Sequence, residues 1–305
     1  MSKLISFSVV LLALGYLYFK IDITLLLDSL KTYSFWAVVY VFAITAFNFV
    51  LVAFRWQILT GSQISFKESY KVNLLSMVIN QIAPARAGDF YKPYHLKHYF
   101  GIKLTSSYGS LIIERFLDLL LLVIFTFFII FFGKETQFFE GLVPAISAFA
   151  FGTILFYISI KYPKKTLFLL KKLPLRAIKS FAIKIFINIL RISKSRLLKA
   201  FLVTAFLYLL YVLFMYAFIV YFSNFTLSFS KVFLVFVISA FGLALPSSPA
   251  GIGVYEATVV FVMSYFGIKE EDSFCFALIY HVVQILSMFA LSGYFKIKDS
   301  FQKKR

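Results

Sequence analysis

Long apolar stretches separated by short polar connections dominate this chain. A helix needs about 20 consecutive apolar residues to cross a bilayer, and six segments come close to that length. They are residues 4–19, 34–54, 110–132, 141–160, 200–222 and 273–295. The pattern therefore predicts an all-α polytopic membrane protein with about six full transmembrane helices.

Two further apolar stretches do not fit as simple crossings. Residues 72–83 are too few, and residues 231–266 are interrupted by "ALPSSPAGIGVYEA". Irregular backbone at membrane depth is tolerated only where it is buried in protein or lines a watery cavity. We therefore expect two re-entrant half-helix hairpins, at about residues 70–100 and 231–267, within a single membrane domain that covers residues 1–305.

The cations are concentrated in alternate connections. Residues 55–103 contain seven Lys or Arg, residues 161–199 contain twelve and no acid, and the tail is again basic, whereas the intervening connections are neutral or acidic. Because cytoplasmic loops carry the excess of Lys and Arg, both termini are expected in the cytoplasm and the protein in the cytoplasmic (inner) membrane. Both termini lie on the same side only if the number of crossings is even. Six crossings meet this condition if residues 231–266 enter and leave from the outer side.

Composition supports this class. Hydrophobic residues make up 61% of the chain and charged residues 14%, and the mean hydropathy is +0.90, which exceeds what a soluble domain can cover with polar surface. The net charge of +18 is explained by cytoplasmic loops, so membrane lipids are the expected partners and nucleic acid is not. Cys275, the single cysteine, is expected to be a packing residue. Both a monomer and a homo-oligomer are compatible with the sequence.

Residues 161–199 form a basic amphipathic segment that we place on the cytoplasmic side. Apolar side chains recur there at helical spacing, and most of the cations lie off that stripe. The stripe comprises Ile178, Phe181, Ala182, Ile185, Ile189 and Ile192. A helix lying on the inner leaflet is predicted, and a connector that merely orients its neighbours is the alternative.

The first polar motif is "NQIAPARAGDFYKPYHLKH", residues 80–98. Pro84 should end a helix, Gly88 permits a close approach, and Asp89 can cap the helix that follows. Arg86 and Lys92 would lie beside the positive end of that helix, which makes a site for a phosphate. The alternative is an ordinary surface loop whose cations extend toward water.

The second motif is "ERFLD". Glu114 and Asp118 share a helix face and repel each other unless a cation intervenes. Arg115 can pair with Asp118, which leaves Glu114 to find a partner in Arg86 or Lys92. A structural ion-pair network is the serious rival to a functional site here.

The third motif is the interruption itself. Pro246 and Pro249 should end one half-helix, Gly251 and Gly253 release the backbone, and Glu256 lies in the first turn of the next. The motif shares with the first one the order of half-helix, proline, small residues, glycine and acid. Because the two enter from opposite sides, we expect an inverted repeat with a binding site near the midplane.

Several enzyme signatures are absent from the sequence. There is no "HExxH", no "GxxxxGK[ST]" and no "GxSxG", so neither a hydrolase, an ATPase nor a metalloenzyme is expected, and no cofactor or metal. His95 and His98 are expected at the membrane interface rather than as ligands. His281, near Gln284, is expected to hydrogen-bond across helices, with a proton relay as the alternative.

Taken in order, the three motifs make the sequence resemble the lysylphosphatidylglycerol synthase transmembrane family, flippase-like integral membrane proteins. Asp89 stands where the family usually has Glu, and Lys92 where it usually has Arg, which removes a bidentate phosphate contact. Members that move lysyl-phosphatidylglycerol carry a soluble aminoacyl transferase domain; without it, lysyl transfer is not expected. The resemblance implicates Pro84, Arg86, Gly88, Asp89 and Lys92, then Glu114, Arg115 and Asp118, then Pro249, Gly251, Gly253 and Glu256.

The expected function is therefore a flippase-like protein that binds or translocates an anionic phospholipid or a polyprenyl-phosphate-linked lipid. Arg86, Lys92 and Arg115 would hold the lipid phosphate. The cavity acids would neutralise these cations or receive a cationic headgroup; they are Asp89, Glu114, Asp118 and Glu256. A secondary transporter of a small anion and a lipid-modifying enzyme are the alternatives.

Overall fold

A computed structural model describes residues 12–83, 86–132, 143–244 and 249–303. These residues form helices joined by turns, and no strand occurs among them, so the all-α prediction is confirmed. The helices are α1 (residues 12–20), α2 (Ile23–Lys31), α3 (Phe35–Thr60), α4 (Phe66–Ile82), α5 (Ala87–Phe100), α6 (Leu104–Phe132), α7 (Val143–Lys161), α8 (Pro163–Lys171), α9 (Arg176–Leu190), α10 (Lys194–Phe222), α11 (Phe229–Ala244), α12 (Val254–Tyr265) and α13 (Glu270–Lys303).

Three of the described helices are long and apolar enough to cross a membrane. They are α3, α10 and the part of α13 from Glu270 to Phe295, and they match the crossings predicted at 34–54, 200–222 and 273–295. The other three crossings stay predictions. Those at 4–19 and 141–160 begin on residues that lie outside the described part of the chain.

The chain divides into two compact units. The first comprises Met1–Val50, Asn73–Asp89 and Leu209–Arg305; the second comprises Leu51–Val72 and Phe90–Tyr208. The two motifs that interrupt helices, around Arg86 and Gly253, fall in the first unit, and the "ERFLD" motif falls in the second.

Aromatic packing holds the first unit together. Phe218 is fully buried and its ring contacts those of Tyr33, Phe276 and Tyr280 at centroid distances of 5.4–6.0 Å. In the same unit α12 packs against α11 and α13. The Cys275 thiol is buried and lies 3.4 Å from the carbonyl oxygen of Leu26, as expected for a packing residue.

The second unit is built around α6, which packs against α7 and α9. Its core includes Leu59, Ile113, Leu117, Ile189 and Ala200. Because lipid is as apolar as these side chains, close packing rather than transfer from water holds such helices together. This core positions α3, α6 and α10 around the charged side chains described below.

The basic segment at 161–199 is divided differently from the prediction. It contains α8 and α9, and α10 already begins at Lys194, six residues ahead of the predicted crossing, where the Ser193 hydroxyl accepts a hydrogen bond from the Arg196 amide. Ile185, Ile189 and Ile192 pack into the protein core. Ile178 and Phe181 stay exposed, so only the first half of the stripe is available for lipid contact.

Candidate functional site

Both predicted helix interruptions are present. The first break lies between the end of α4 at Ile82 and the start of α5 at Ala87. The second break lies between the end of α11 at Ala244 and the start of α12 at Val254. Pro84 and Pro246, which were expected to cause these breaks, lie outside the described residues, whereas Pro249 begins a short 3-10 turn.

Side chains of α4 hold the start of α5 in place. The Asn80 side-chain oxygen accepts a hydrogen bond from the Gly88 backbone N–H at 2.8 Å, and the Ser76 hydroxyl donates to the Gly88 carbonyl at 2.7 Å. The Asn80 amide also donates to Asp89 at 3.3 Å. Asp89 therefore lies inside the first turn of α5 rather than ahead of it, where its charge complements the helix dipole.

Gly88 is a point of close contact between α4 and α5. A β-carbon at this position would overlap the backbone carbonyl oxygen of Ser76. The predicted close approach is confirmed, and the partner is the preceding helix.

Arg86 joins the first break to the second. Its guanidinium donates a hydrogen bond of 2.9 Å to the carbonyl oxygen of Leu243, in the last turn of α11. The backbone of Arg86 has φ 52°, a left-handed conformation that is uncommon for a residue with a side chain. Such strain, about 1–3 kcal/mol, persists where surrounding contacts enforce it and concentrates at binding sites and switches.

Glu256 anchors the second break. Gly253, at φ 85°, precedes α12, and its backbone N–H donates to one carboxylate oxygen of Glu256 at 2.7 Å. The other carboxylate oxygen lies 2.7 Å from Nδ1 of His281 on α13. Both side chains are buried, and the Tyr255 ring packs 4.6 Å from the imidazole.

The prediction that His281 bonds across helices is confirmed, although its partner is Glu256 rather than Gln284.

The helices that follow the two breaks carry an acid at the same position, as the internal similarity between the two motifs predicts. Asp89 is the third residue of α5, and Glu256 is the third residue of α12.

The second unit contains a buried ion network. Arg55, on α3, pairs with Glu114 at 2.8 Å and with Asp118 at 2.5 Å, and Lys92 pairs with Glu114 at 3.0 Å. Arg55, Lys92 and Glu114 are 2–3% exposed. The Lys92 ammonium also lies 4.6 Å from the centre of the Trp56 ring.

Two pairings predicted from the sequence are confirmed by this network. Glu114 takes Lys92 as a partner, and Arg115 lies 3.6 Å from Asp118. The phosphate-binding role assigned to Arg86, Lys92 and Arg115 stays a prediction. Arg86 belongs to the first unit, whereas Lys92 and Arg115 belong to the second, and Lys92 would have to leave Glu114 to reach a phosphate.

Arg55 is the residue that sequence reasoning missed. It was counted as the first residue of a basic connection, because the predicted crossing ended at Phe54. The signal was present, since "FVLVAFRWQILT" continues apolar for a full turn beyond the arginine. An ionisable residue inside such a run is a functional or structural candidate by default.

His95 and His98 differ in burial, whereas their expected position at the membrane interface stays a prediction. His95 is buried, with Nδ1 3.0 Å from the Tyr91 hydroxyl and its ring 4.5 Å from that of Tyr99. His98 is exposed and stacks on Tyr94. Nε2 of His95 also lies 4.0 Å from the Glu68 carboxylate of α4, so this face of α5 turns toward a neighbouring helix.

Comparison with known proteins agrees with the motifs. The family described as the lysylphosphatidylglycerol synthase TM region matches residues 3–292. A UPF0104 membrane protein of Methanocaldococcus jannaschii is 24% identical over 214 residues, which cover 70% of this chain and 90% of that protein. No solved structure matches. Together with the three apolar helices, these findings make the chain a multi-pass membrane protein that belongs to the lysylphosphatidylglycerol synthase transmembrane region family.

Proposed function

We propose that this protein translocates an anionic lipid, either a phospholipid or a polyprenyl-phosphate-linked lipid, across the cytoplasmic membrane. The observation that carries the proposal is the contact between Arg86 and Leu243. It places a strained, exposed cation of one helix break against the carboxyl end of the helix that leads into the other.

A lipid phosphate would compete well for this cation. The Leu243 carbonyl is a neutral acceptor, strengthened by the partial negative charge at the end of α11. The bond to Leu243 already has a charged donor, but a phosphate adds a formal negative charge on the acceptor and can bind the guanidinium through two parallel hydrogen bonds. An arriving headgroup therefore replaces Leu243 as the acceptor and loosens the link between the two breaks.

Two of the predicted acids act around this exchange. Asp89 and Glu256, at equivalent positions of α5 and α12, support the proposed inverted repeat and balance the cation when no lipid is bound. A phosphate-binding role of Lys92 and Arg115 would belong to the second unit, where the two side chains pair with Glu114 and Asp118. The two helix breaks act as re-entrant hairpins, with both termini of the chain in the cytoplasm.

The buried pair of Glu256 and His281 is the proposed proton site. It places a carboxylate and an imidazole 2.7 Å apart beside the second break, so that one proton can be held between them. Glu256→Gln tests this role, because Gln keeps the hydrogen bond to the Gly253 N–H while removing the charge. We expect Glu256→Gln to retain the fold and to abolish any dependence of lipid movement on a pH gradient. A fully retained dependence would show that the pair only caps α12.

Reconstitution into liposomes tests the translocation itself. Fluorescent phosphatidylglycerol and a fluorescent polyprenyl phosphate are placed in both leaflets, and a membrane-impermeant quencher reports how much reaches the outer one. We expect the wild type to move at least one of these lipids and Arg86→Ala to slow it by at least about tenfold, since a hydrogen bond to a charged group contributes about 1.5–3 kcal/mol. Arg176→Ala, at the exposed start of α9, is the matched control and should move lipid at the wild-type rate.

Two outcomes would reject the proposal: wild-type protein that moves neither lipid, or Arg86→Ala protein that moves lipid as fast as Arg176→Ala. Uptake of a small anion in place of lipid would favour the transporter. Chemically altered lipid after incubation, found by mass spectrometry, would favour a lipid-modifying enzyme.

A further inference from the structure

A basic pocket lies in the second unit, and no residue of the helix breaks or of the ion network lines it. It is open, has a volume of about 400 Å³, and is formed where the turn after α3 meets the start of α10. Its lining consists of Ile58, Gly61, Ser62, Gln63, Arg196 and Lys199. Hydroxyl, amide, guanidinium and ammonium groups therefore surround one opening.

The two cations of this pocket have no acidic partner in the described part of the chain. Neither Arg196 nor Lys199 lies within 4.0 Å of a carboxylate there. The Arg196 guanidinium lies over the backbone of Gly61, where a β-carbon would collide with it, and its Nε contacts the Ser193 hydroxyl at 3.4 Å. The arginine is thus held in place by neutral groups.

This arrangement is electrostatically unfavourable without an anion. Arg196 and Lys199 are three residues apart on α10 and therefore share a face, where like charges repel. They also lie near the helix start, where the dipole disfavours cations, and the first turn of α10 contains no acid. A bound anion would remove both penalties.

The surroundings of the pocket indicate which anion it takes. It lies where α3 ends at Thr60 and α10 begins at Lys194, at the ends of two helices long enough to cross a membrane. Further along α10, Leu202 and Phe206 follow Lys199 by three and seven residues, which places them on its side of the helix, and they are 52–56% exposed. A cationic opening continued by an exposed apolar stripe matches a phospholipid, with a charged headgroup and acyl chains, better than it matches a free phosphate.

We propose that this pocket holds the headgroup of an anionic phospholipid, whose acyl chains lie along the exposed face of α10. The lipid is retained as part of the membrane-embedded protein and is not the lipid that moves. This site does not depend on the proposed translocation, because it involves neither helix break.

Native mass spectrometry of the full chain tests the proposal. Affinities for phosphatidylglycerol and phosphatidylcholine are compared in an Arg86→Ala background, so that a lipid held at the breaks does not contribute. We expect phosphatidylglycerol to bind more tightly than phosphatidylcholine. Because each basic side chain near a membrane surface contributes about 1 kcal/mol to binding anionic lipid, the Arg196→Gln/Lys199→Gln variant should bind phosphatidylglycerol about 30-fold more weakly.

The control variant Lys164→Gln/Lys165→Gln removes the same charge from exposed positions of α8 and should change the affinity by less than about threefold. Lys199→Gln alone changes an exposed side chain and therefore leaves the fold undisturbed. This variant should weaken binding about fivefold. Equal losses in the α8 control and the pocket variant would overturn the proposal. So would displacement of phosphatidylglycerol by millimolar inorganic phosphate, which would make the pocket a site for free anions.

Discussion

At the scale of single residues, the first break depends on the lack of a side chain at Gly88. The hydrogen of Gly88 leaves room for the Ser76 carbonyl, and the Asn80 side chain then reaches the Gly88 N–H. Arg86 stands two residues before this contact. Its left-handed backbone and its hydrogen bond to Leu243 therefore adjoin a tightly held helix start.

Gly88→Ala is therefore expected to be destabilising although alanine is the better helix former. The methyl group must push Ser76 away, and such overpacking costs about 1–3 kcal/mol. The free energy of unfolding, measured with denaturant in detergent micelles, should fall by that amount, and lipid movement should slow as Arg86 shifts.

Gly152→Ala in α7 is the matched control, since a β-carbon there meets no atom within 4 Å. That substitution should be neutral or stabilise by up to about 1 kcal/mol. Equal stability of the two variants would show that the approach of α4 and α5 is not tight in solution.

At the scale of elements, a buried ion network joins helices α3, α5 and α6. Arg55 bridges Glu114 and Asp118, and Lys92 takes the second oxygen of Glu114. Burying charged groups is costly in itself, and removing one member of the network lowers the stability by about 3–5 kcal/mol because its partner is left buried and unpaired. The network therefore fixes which faces of these helices meet.

A pair of double-mutant cycles tests this view of the network. The cycle of Arg55→Met with Asp118→Asn should give a coupling energy above about 1 kcal/mol, because both groups are desolvated. The cycle of Arg115→Met with Asp118→Asn should give less than about 1 kcal/mol, since Arg115 is 32% exposed and lies 3.6 Å away. Similar coupling energies in the two cycles would contradict the distinction between a buried and a surface pair.

At the scale of the whole molecule, the membrane topology follows from how each pair of broken helices enters the bilayer. If α11 and α12 form a re-entrant hairpin, the turns before and after them face the same side. If they cross instead, the two turns face opposite sides. The same reasoning applies to α4 and α5.

Cysteine labelling decides between these topologies, because the chain has a single cysteine to remove. In a Cys275→Ala background, cysteines at Asn224 and at Gly267 should both react with an impermeant reagent in intact cells. Cysteines at Gln63 and at Lys103, exposed positions of the turns after α3 and α5, should react only after the cytoplasmic face is exposed. Opposite labelling of the Asn224 and Gly267 positions would show that residues 231–266 cross the membrane.

The sequence predicted a good part of this architecture. Runs of apolar residues identify helices α3, α10 and α13, because a helix that contacts lipid must be apolar over its whole length. Clusters of glycine and small residues identify both breaks, because local backbone preferences act within a few residues. The motifs in order were enough to indicate the family.

Only the tertiary structure decided which polar side chains meet. Arg55 pairs with Glu114 and Asp118, and Glu256 pairs with His281, across separations of 25 to 63 residues. Helical periodicity states which face of its own helix a side chain occupies, whereas the partner depends on how distant helices pack. That packing is set by the summed contacts of whole helices, so no local pattern in the sequence contains it.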